Sequence, residues 1–172
     1  TSHQRLKGKG KLMRVIVVGC GKIGRAIVAS MAEENHDIVA IDNNPDVISH
    51  LTNTYDVRAV CGNATSKELL TEAEVSKAEL FIAVTESDEV NMLSCFLAKK
   101  LGAKYTVARI RESDYNDSSL GFLTKQLRLS MALNPELLTA EAIFNMLKLP
   151  SASKADTFAG KKIQILELAV TV

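Results

Sequence analysis

The sequence predicts an α/β fold of Rossmann type, a doubly wound parallel sheet with helices on both faces, and three observations predict it. Short β-branched runs alternate with longer amphipathic stretches, the rhythm that lays crossover helices over parallel strands. A glycine-rich segment, Gly19-Cys20-Gly21-Lys22-Ile23-Gly24, joins the first run to the first stretch, and an acid, Asp42, closes the second run. A chain of 172 residues, 47% of them hydrophobic, also carries enough apolar side chains for a packed core.

Each element has its own signal. Arg14 to Gly19 is a continuous apolar strand, as expected where both faces of a sheet are covered. Lys22 to Glu34 carries Ile23, Ala26, Ile27, Ser30 and Met31 at helical spacing. Asp37 to Asp42 reads as the second strand, Pro45 opens a short helix at its first turn, and Arg58 to Cys61 reads as the third strand. Leu80 to Val84 is the fourth. The following helix has Ser87 as a cap and Asp88 and Glu89 at its positive end. It continues with a stripe of Val90, Leu93, Leu97 and Leu101, Lys99 and Lys100 at its negative end, and Gly102 as its stop. Lys104 to Ile110 is a fifth strand and Leu127 to Leu133 a short sixth.

Asn134-Pro135-Glu136 then gives an N-cap, a helix-compatible proline and a first-turn acid, opening a helix that runs to about Leu147. Leu137, Ala140, Phe144 and Leu147 form one stripe on it, and Leu138, Ala142, Met146 and Leu149 another. A helix apolar over so wide an arc needs two partners, one its own sheet and one a neighbouring subunit, so a homo-oligomer is expected. Ser151 to Ala155 reads as a hinge and Ile163 to Val170 as one more strand without an obvious partner, the first strand of a further domain. The expected organisation is a leader over 1–12, a nucleotide-binding domain over 13–134, a crossover helix over 135–149, and a hinge with the start of a C-terminal domain over 150–172. The leader is polar and basic, without the apolar core of a signal peptide.

Charge and cysteine usage narrow the function. Lys plus Arg is 21 and Asp plus Glu 20, a net charge of +1, so nothing draws the whole molecule to nucleic acid or an anionic membrane. The longest apolar run is far shorter than the ~20 residues of a bilayer-spanning helix. Cys20, Cys61 and Cys95 form no CxxC pair and are odd in number, which argues against a zinc site or a disulfide framework and for a reducing cytoplasm. His3, His36 and His50 read as surface residues, and no metal site or catalytic set is expected.

The glycine segment fits G-x-G-x-x-G after a strand and before a helix, and Asp42 stands 18 residues past Gly24. In such a motif the first glycine permits the turn, the second lets backbone approach a pyrophosphate and the third lets helix pack on strand. The helix N-terminus offers N–H groups and a positive dipole to phosphate. Asp42 would accept hydrogen bonds from an adenosine ribose, and Asn43 and Asn44 follow where a reader of a 2′-phosphate would want Arg, which favours NAD(H) over NADP(H). Further candidates lie where later strands end: Asn63, Ala64 and Thr65 toward adenine, Thr85 toward the phosphates or distal ribose, and Arg109 toward phosphate. Arg111 and Asp88 are weaker candidates, since Asp88 also serves its own helix.

Taken jointly, Val15 to Gly24, Ile41-Asp42, Gly62-Asn63-Ala64-Thr65, Ala83 to Asn91, Ala108 to Arg111 and Leu133 to Glu136 resemble the RCK, or KTN, domains that regulate potassium channels and transporters. The likeness is greatest to the TrkA and KtrA type of peripheral subunit. It implies a non-catalytic sensor that binds NAD(H), or in relatives ATP and ADP, beneath an integral membrane potassium transporter or channel. It also implies pairing through a crossover helix, a smaller C-terminal domain, and a cytoplasmic position on the inner face of the membrane. Asn63 stands where relatives often carry Asp, and Lys22 where ATP-binding relatives tend to carry Arg. Two alternatives stay open: the cytoplasmic domain of a ligand-gated potassium channel or efflux system, and the cofactor domain of an NAD-dependent dehydrogenase.

Overall fold

A computed structural model describes residues 12–111, 117–148, 152–158 and 163–168. The chain divides into two units, Thr1–Leu133 and Asn134–Val172. Apart from Leu12, the expected leader lies outside the described residues, as do Ser151 and Val170.

The first unit alternates strand and helix: β1 (Arg14–Val18), α1 (Lys22–Glu33), β2 (Asp37–Asp42), α2 (Pro45–Thr54), β3 (Arg58–Cys61), α3 (Lys67–Glu72), a 3-10 turn (Val75–Lys77), β4 (Leu80–Ala83), α4 (Asp88–Leu101), β5 (Tyr105–Arg109), α5 (Asp117–Gln126) and β6 (Met131–Leu133). All six strands pair in parallel in the order β3-β2-β1-β4-β5-β6. The order reverses between β1 and β4, so a crevice opens there at the carboxyl ends of the strands. Both sheet faces are buried, which is why β1 is apolar from Val15 to Val18. Ile16, Val18 and Phe81 enter the core beneath α4, while Val15, Val17 and Ile82 enter the core with Val28 of α1 and Leu51 of α2.

Several boundaries differ from the sequence reading. Helices α3 and α5 add to the elements the sequence predicts; α3 is short, with Ser66 accepting from the Leu69 amide at 3.3 Å. Strand β6 begins only at Met131, because Leu127 still bonds back to Leu123 and Arg128 takes a left-handed turn with φ 53°. The inward face of α4 is not the leucine stripe. Asn91, Met92, Ser94, Cys95 and Ala98 are buried, whereas Leu93 is 47% exposed. Small side chains there let the helix approach the sheet closely, and the leucines fall to its flanks. His36 is likewise not a surface residue: its side chain is 6% exposed and its Nδ1 accepts from the Met13 amide at 3.2 Å.

The second unit holds α6 (Pro135–Lys148), β7 (Ala152–Phe158) and β8 (Ile163–Leu168). Asn134 caps α6 through Oδ1 to the Leu137 amide, 3.0 Å. Leu137 and Leu138, one from each apolar stripe, are 57% and 54% exposed. The expected hinge is a strand from Ala152 onward: β7 pairs antiparallel with β8, with a register irregularity between Ala152 and Lys154. The Ile163 strand thus has its partner within the chain.

Candidate functional site

The site grows from the turn between β1 and α1. Gly19 has φ 81°, a conformation L side chains avoid, and a Cβ on it would stand 2.7 Å from the Thr85 Cα and N. A Cβ on Gly24 would stand 2.0 Å from the Gly19 carbonyl oxygen. These two glycines are demanded by the protein's own packing. At Gly21 a Cβ would meet no atom within 4 Å, and its φ of −65° suits any residue. The fold does not require glycine there; a ligand drawn close to the backbone would.

Gly21 is also the N-cap of α1, without a side-chain cap and without an acid in the first turn. By contrast α2, α3 and α4 are each capped by a side chain, from Asn44, Ser66 and Ser87, and each carries an acid in its first turn. The first-turn amides of α1 and its positive dipole end therefore face the crevice, with Lys22 exposed beside them. Ile23 is partly buried and packs on the core below the loop.

Asp42 ends β2 beside this turn. Its Oδ2 accepts from the Cys20 amide at 2.7 Å and its Oδ1 from the Asn44 amide at 2.9 Å. An ionised carboxylate has about four acceptor positions, so each oxygen keeps one for a ribose hydroxyl. The Cys20 side chain turns inward, fully buried toward the Val17 and Ile41 carbonyls, and burial followed by the nearby Asp42 charge pushes its thiol up to about 12. Asn43 is exposed, its carbonyl 3.8 Å from the Cys61 Sγ, and Asn44 is committed to capping α2, accepting from the Asp46 amide at 2.9 Å.

The remaining candidates sit at neighbouring strand ends. Past β3, the Asn63 Oδ1 accepts from the Thr65 amide and hydroxyl at 2.9 and 2.8 Å, closing a turn over the buried Ala64. Thr85, past β4, is bound to Asn91: its amide and hydroxyl donate to Oδ1 at 2.8 and 2.7 Å. Arg109 ends β5 and is buried, its carbonyl accepting from Asn91 Nδ2 at 2.9 Å. Asp88 and Arg111 engage each other, the Arg111 amide donating to Asp88 Oδ2 at 2.7 Å. Asn91, fully buried, is the residue that sequence reasoning gave no role, although it closes the segment Ala83 to Asn91.

A family profile for the TrkA-N domain matches residues 15–124, well over half of the chain. The chain belongs to the TrkA-N family. Among curated relatives it is 34% identical over 158 residues to a Trk system potassium uptake protein TrkA homolog of Archaeoglobus fulgidus, covering 92% of this chain and 36% of that one. It is 32% identical to the TrkA protein of Vibrio alginolyticus over 90% of this chain and 34% of that one. This TrkA-N chain thus spans about a third of those relatives. The fold is shared with the TrkA-N domain of the Escherichia coli inner membrane protein ybaL, at TM-score 0.69 and 19% identity over 80% of this chain and 98% of that one. It is shared also with a GsuK channel bound to NAD, at TM-score 0.62 and 18% identity over 87% of this chain and 26% of that one. A third is the Shewanella denitrificans Kef CTD in AMP-bound form, at TM-score 0.63 and 18% identity over 81% and 83% of the two chains. Among the described residues no helix is long and apolar enough to cross a membrane.

Proposed function

We propose that this TrkA-N domain binds an adenine nucleotide in the crevice between β1 and β4, NAD(H) first and ATP or ADP as alternatives. In this reading it works as a regulatory unit of a potassium transport system rather than as an enzyme. The observation that carries the reading is the amino end of α1: uncapped, free of acids, and opened by a glycine that the fold itself does not need. Phosphates would lie on the backbone from Gly19 through Cys20, Gly21, Lys22, Ile23 and Gly24. The adenosine ribose would lie against Asp42 and Asn43, adenine near Asn63, Ala64 and Thr65, and the distal half of a dinucleotide toward Thr85 and Arg109.

The names and nucleotides of the relatives support this direction, and the partner they point to is an integral membrane potassium transporter or channel. Nucleotide state would alter how the domain sits in a homo-oligomer at the inner face of the membrane, and a ligand that favours one arrangement shifts the assembly toward it. Titration calorimetry with NADH, NAD+, ATP and ADP is the test. Saturable binding of NADH is expected, with NADPH weaker; absence of binding by all of them removes the reading. Steady oxidation of NADH by one carbonyl substrate would restore the dehydrogenase alternative.

A further inference from the structure

The glycine loop is held from two sides. On one side Gly19 N donates to the Ile41 carbonyl at 2.9 Å and Cys20 N to Asp42 Oδ2 at 2.7 Å, both at the end of β2. On the other side Gly19 rests directly on the Thr85 backbone, so close that a Cβ there would stand 2.7 Å from it. The β1–β4 ladder closes with Val84 N donating to Val18 O at 2.8 Å. Beyond that point β1 turns away into the loop, and Thr85 needs another partner for its amide.

Asn91 supplies it. Its Oδ1 accepts from the Thr85 amide and hydroxyl at 2.8 and 2.7 Å, and its Nδ2 donates to the Thr85 carbonyl at 3.2 Å and the Arg109 carbonyl at 2.9 Å. A carboxamide has two donor hydrogens and two acceptor lone pairs, and all four are used here. The bonds fall at the carboxyl ends of β4 and β5, on the crevice side of the strand-order reversal, where a fold in need only of packing would place an apolar side chain more cheaply. We infer that Asn91 is a positioning residue for the nucleotide site: through Thr85 it sets the level of the glycine loop against β5 without touching the ligand. The inference rests on the nucleotide reading above.

Asn91→Asp keeps the shape and the Oδ1 acceptor but turns a second oxygen against the Thr85 and Arg109 carbonyls. Calorimetry with NADH on the full chain should show this variant binding about tenfold or more weakly than the unaltered protein, the cost of breaking buried hydrogen bonds. The control is Val75→Ala, a core deletion beyond the opposite, amino end of β4, which should lower the melting temperature and leave NADH affinity unchanged. Equal affinity of Asn91→Asp and the unaltered protein overturns the inference, and so does an affinity loss in both variants that follows only the melting temperature. If Asn91→Asp does not fold, nitrogen-15 NMR of the unaltered protein decides. On adding NADH the Asn91 side-chain amide signals should shift together with the Gly21 and Lys22 amides. Still Asn91 signals beside a shifting Gly21 overturn the inference alone, whereas no heat and no shift anywhere removes the nucleotide reading itself.

Discussion

Gly21 and Gly24 differ by what each would touch, and the difference sets opposite expectations for two small substitutions. Gly24→Ala drives a methyl group against the Gly19 carbonyl, a backbone atom that cannot swing aside, so stability should fall by about 1–3 kcal/mol. Gly21→Ser places a hydroxyl at the N-cap of α1, where such a side chain stabilises a helix by roughly a few tenths of a kcal/mol over glycine, yet it fills the space a phosphate would take. Unchanged or raised melting temperature with NADH affinity lost is the expected pair of results; retained affinity would show that no phosphate approaches Gly21. Asp42→Ala should weaken NADH binding and also lower the stability of the unliganded protein by about 1–3 kcal/mol, because its carboxylate already anchors the Cys20 and Asn44 amides. Thiol chemistry follows burial: Cys20 and Cys95 are enclosed, burial pushing each thiol up to about 12, while Cys61 is exposed. A maleimide at neutral pH should label Cys61 alone in the folded protein, as read by mass spectrometry of the peptides. The glycine spacing and Asp42 were legible because their residue types have few other uses in that context. Asn91 was not, since a buried, fully bonded carboxamide and a solvated one are the same letter in a helix.

Helices were readable where their ends are marked. Ser87, the first-turn acids, the last-turn lysines and Gly102 in a left-handed conformation bound α4 as expected; Ser87→Ala, which removes the bond to the Val90 amide, should cost about 1 kcal/mol in chemical unfolding. For its buried face, spacing favours the largest apolar residues, whereas contact with the sheet favours Cys95 and Ala98. Helix α5 escaped because Ser118, Ser119 and Gly121 weaken a stripe made of Leu120, Leu123 and Leu127. No periodicity announces the ion cluster at the amino ends of the strands, where Glu74 meets Lys77, Arg14 at 2.8 Å and Arg58 at 3.2 Å. Hydrogen bonds from Lys77 and then Arg14 hold the Glu74 carboxyl down at about 2, from an ordinary 4.5. A depressed carboxyl stabilises the fold above its unfolded value and loses that contribution as pH falls through the folded one, so melting temperature should decline between about 4.5 and about 2. Glu74→Gln should flatten that decline, and since the side chain is 32% exposed, added salt should shrink the difference between the two proteins.

At the scale of the whole chain, strand and helix alternation with a glycine turn after β1 was enough to specify a doubly wound sheet, because parallel strands need crossovers and crossovers take one hand. Pairing in the last segment was not readable in the same way: Ala152–Phe158 is polar and small enough to pass for a hinge, and only its antiparallel register with Ile163–Leu168 makes it a strand. The feature with the widest consequence is α6. Leu137 and Phe144 on one apolar stripe, Leu138 on the other, and Ile143 beside them each stand more than half exposed. At ~25 cal/mol for each Å² of apolar surface, leaving four such side chains in water forgoes several kcal/mol that a covering surface would recover. A twofold pairing of two copies covers both helices by one self-complementary contact and leaves no open end to propagate. The chain should therefore sediment as a dimer or larger closed assembly at micromolar concentration. Leu138→Asp combined with Phe144→Asp charges both stripes and should yield monomers that retain the first unit's circular dichroism and NADH affinity, since the sheet and crevice belong to residues before Asn134. A clean monomer for the unaltered chain, or a double variant that still associates, would refute α6 as the contact between copies.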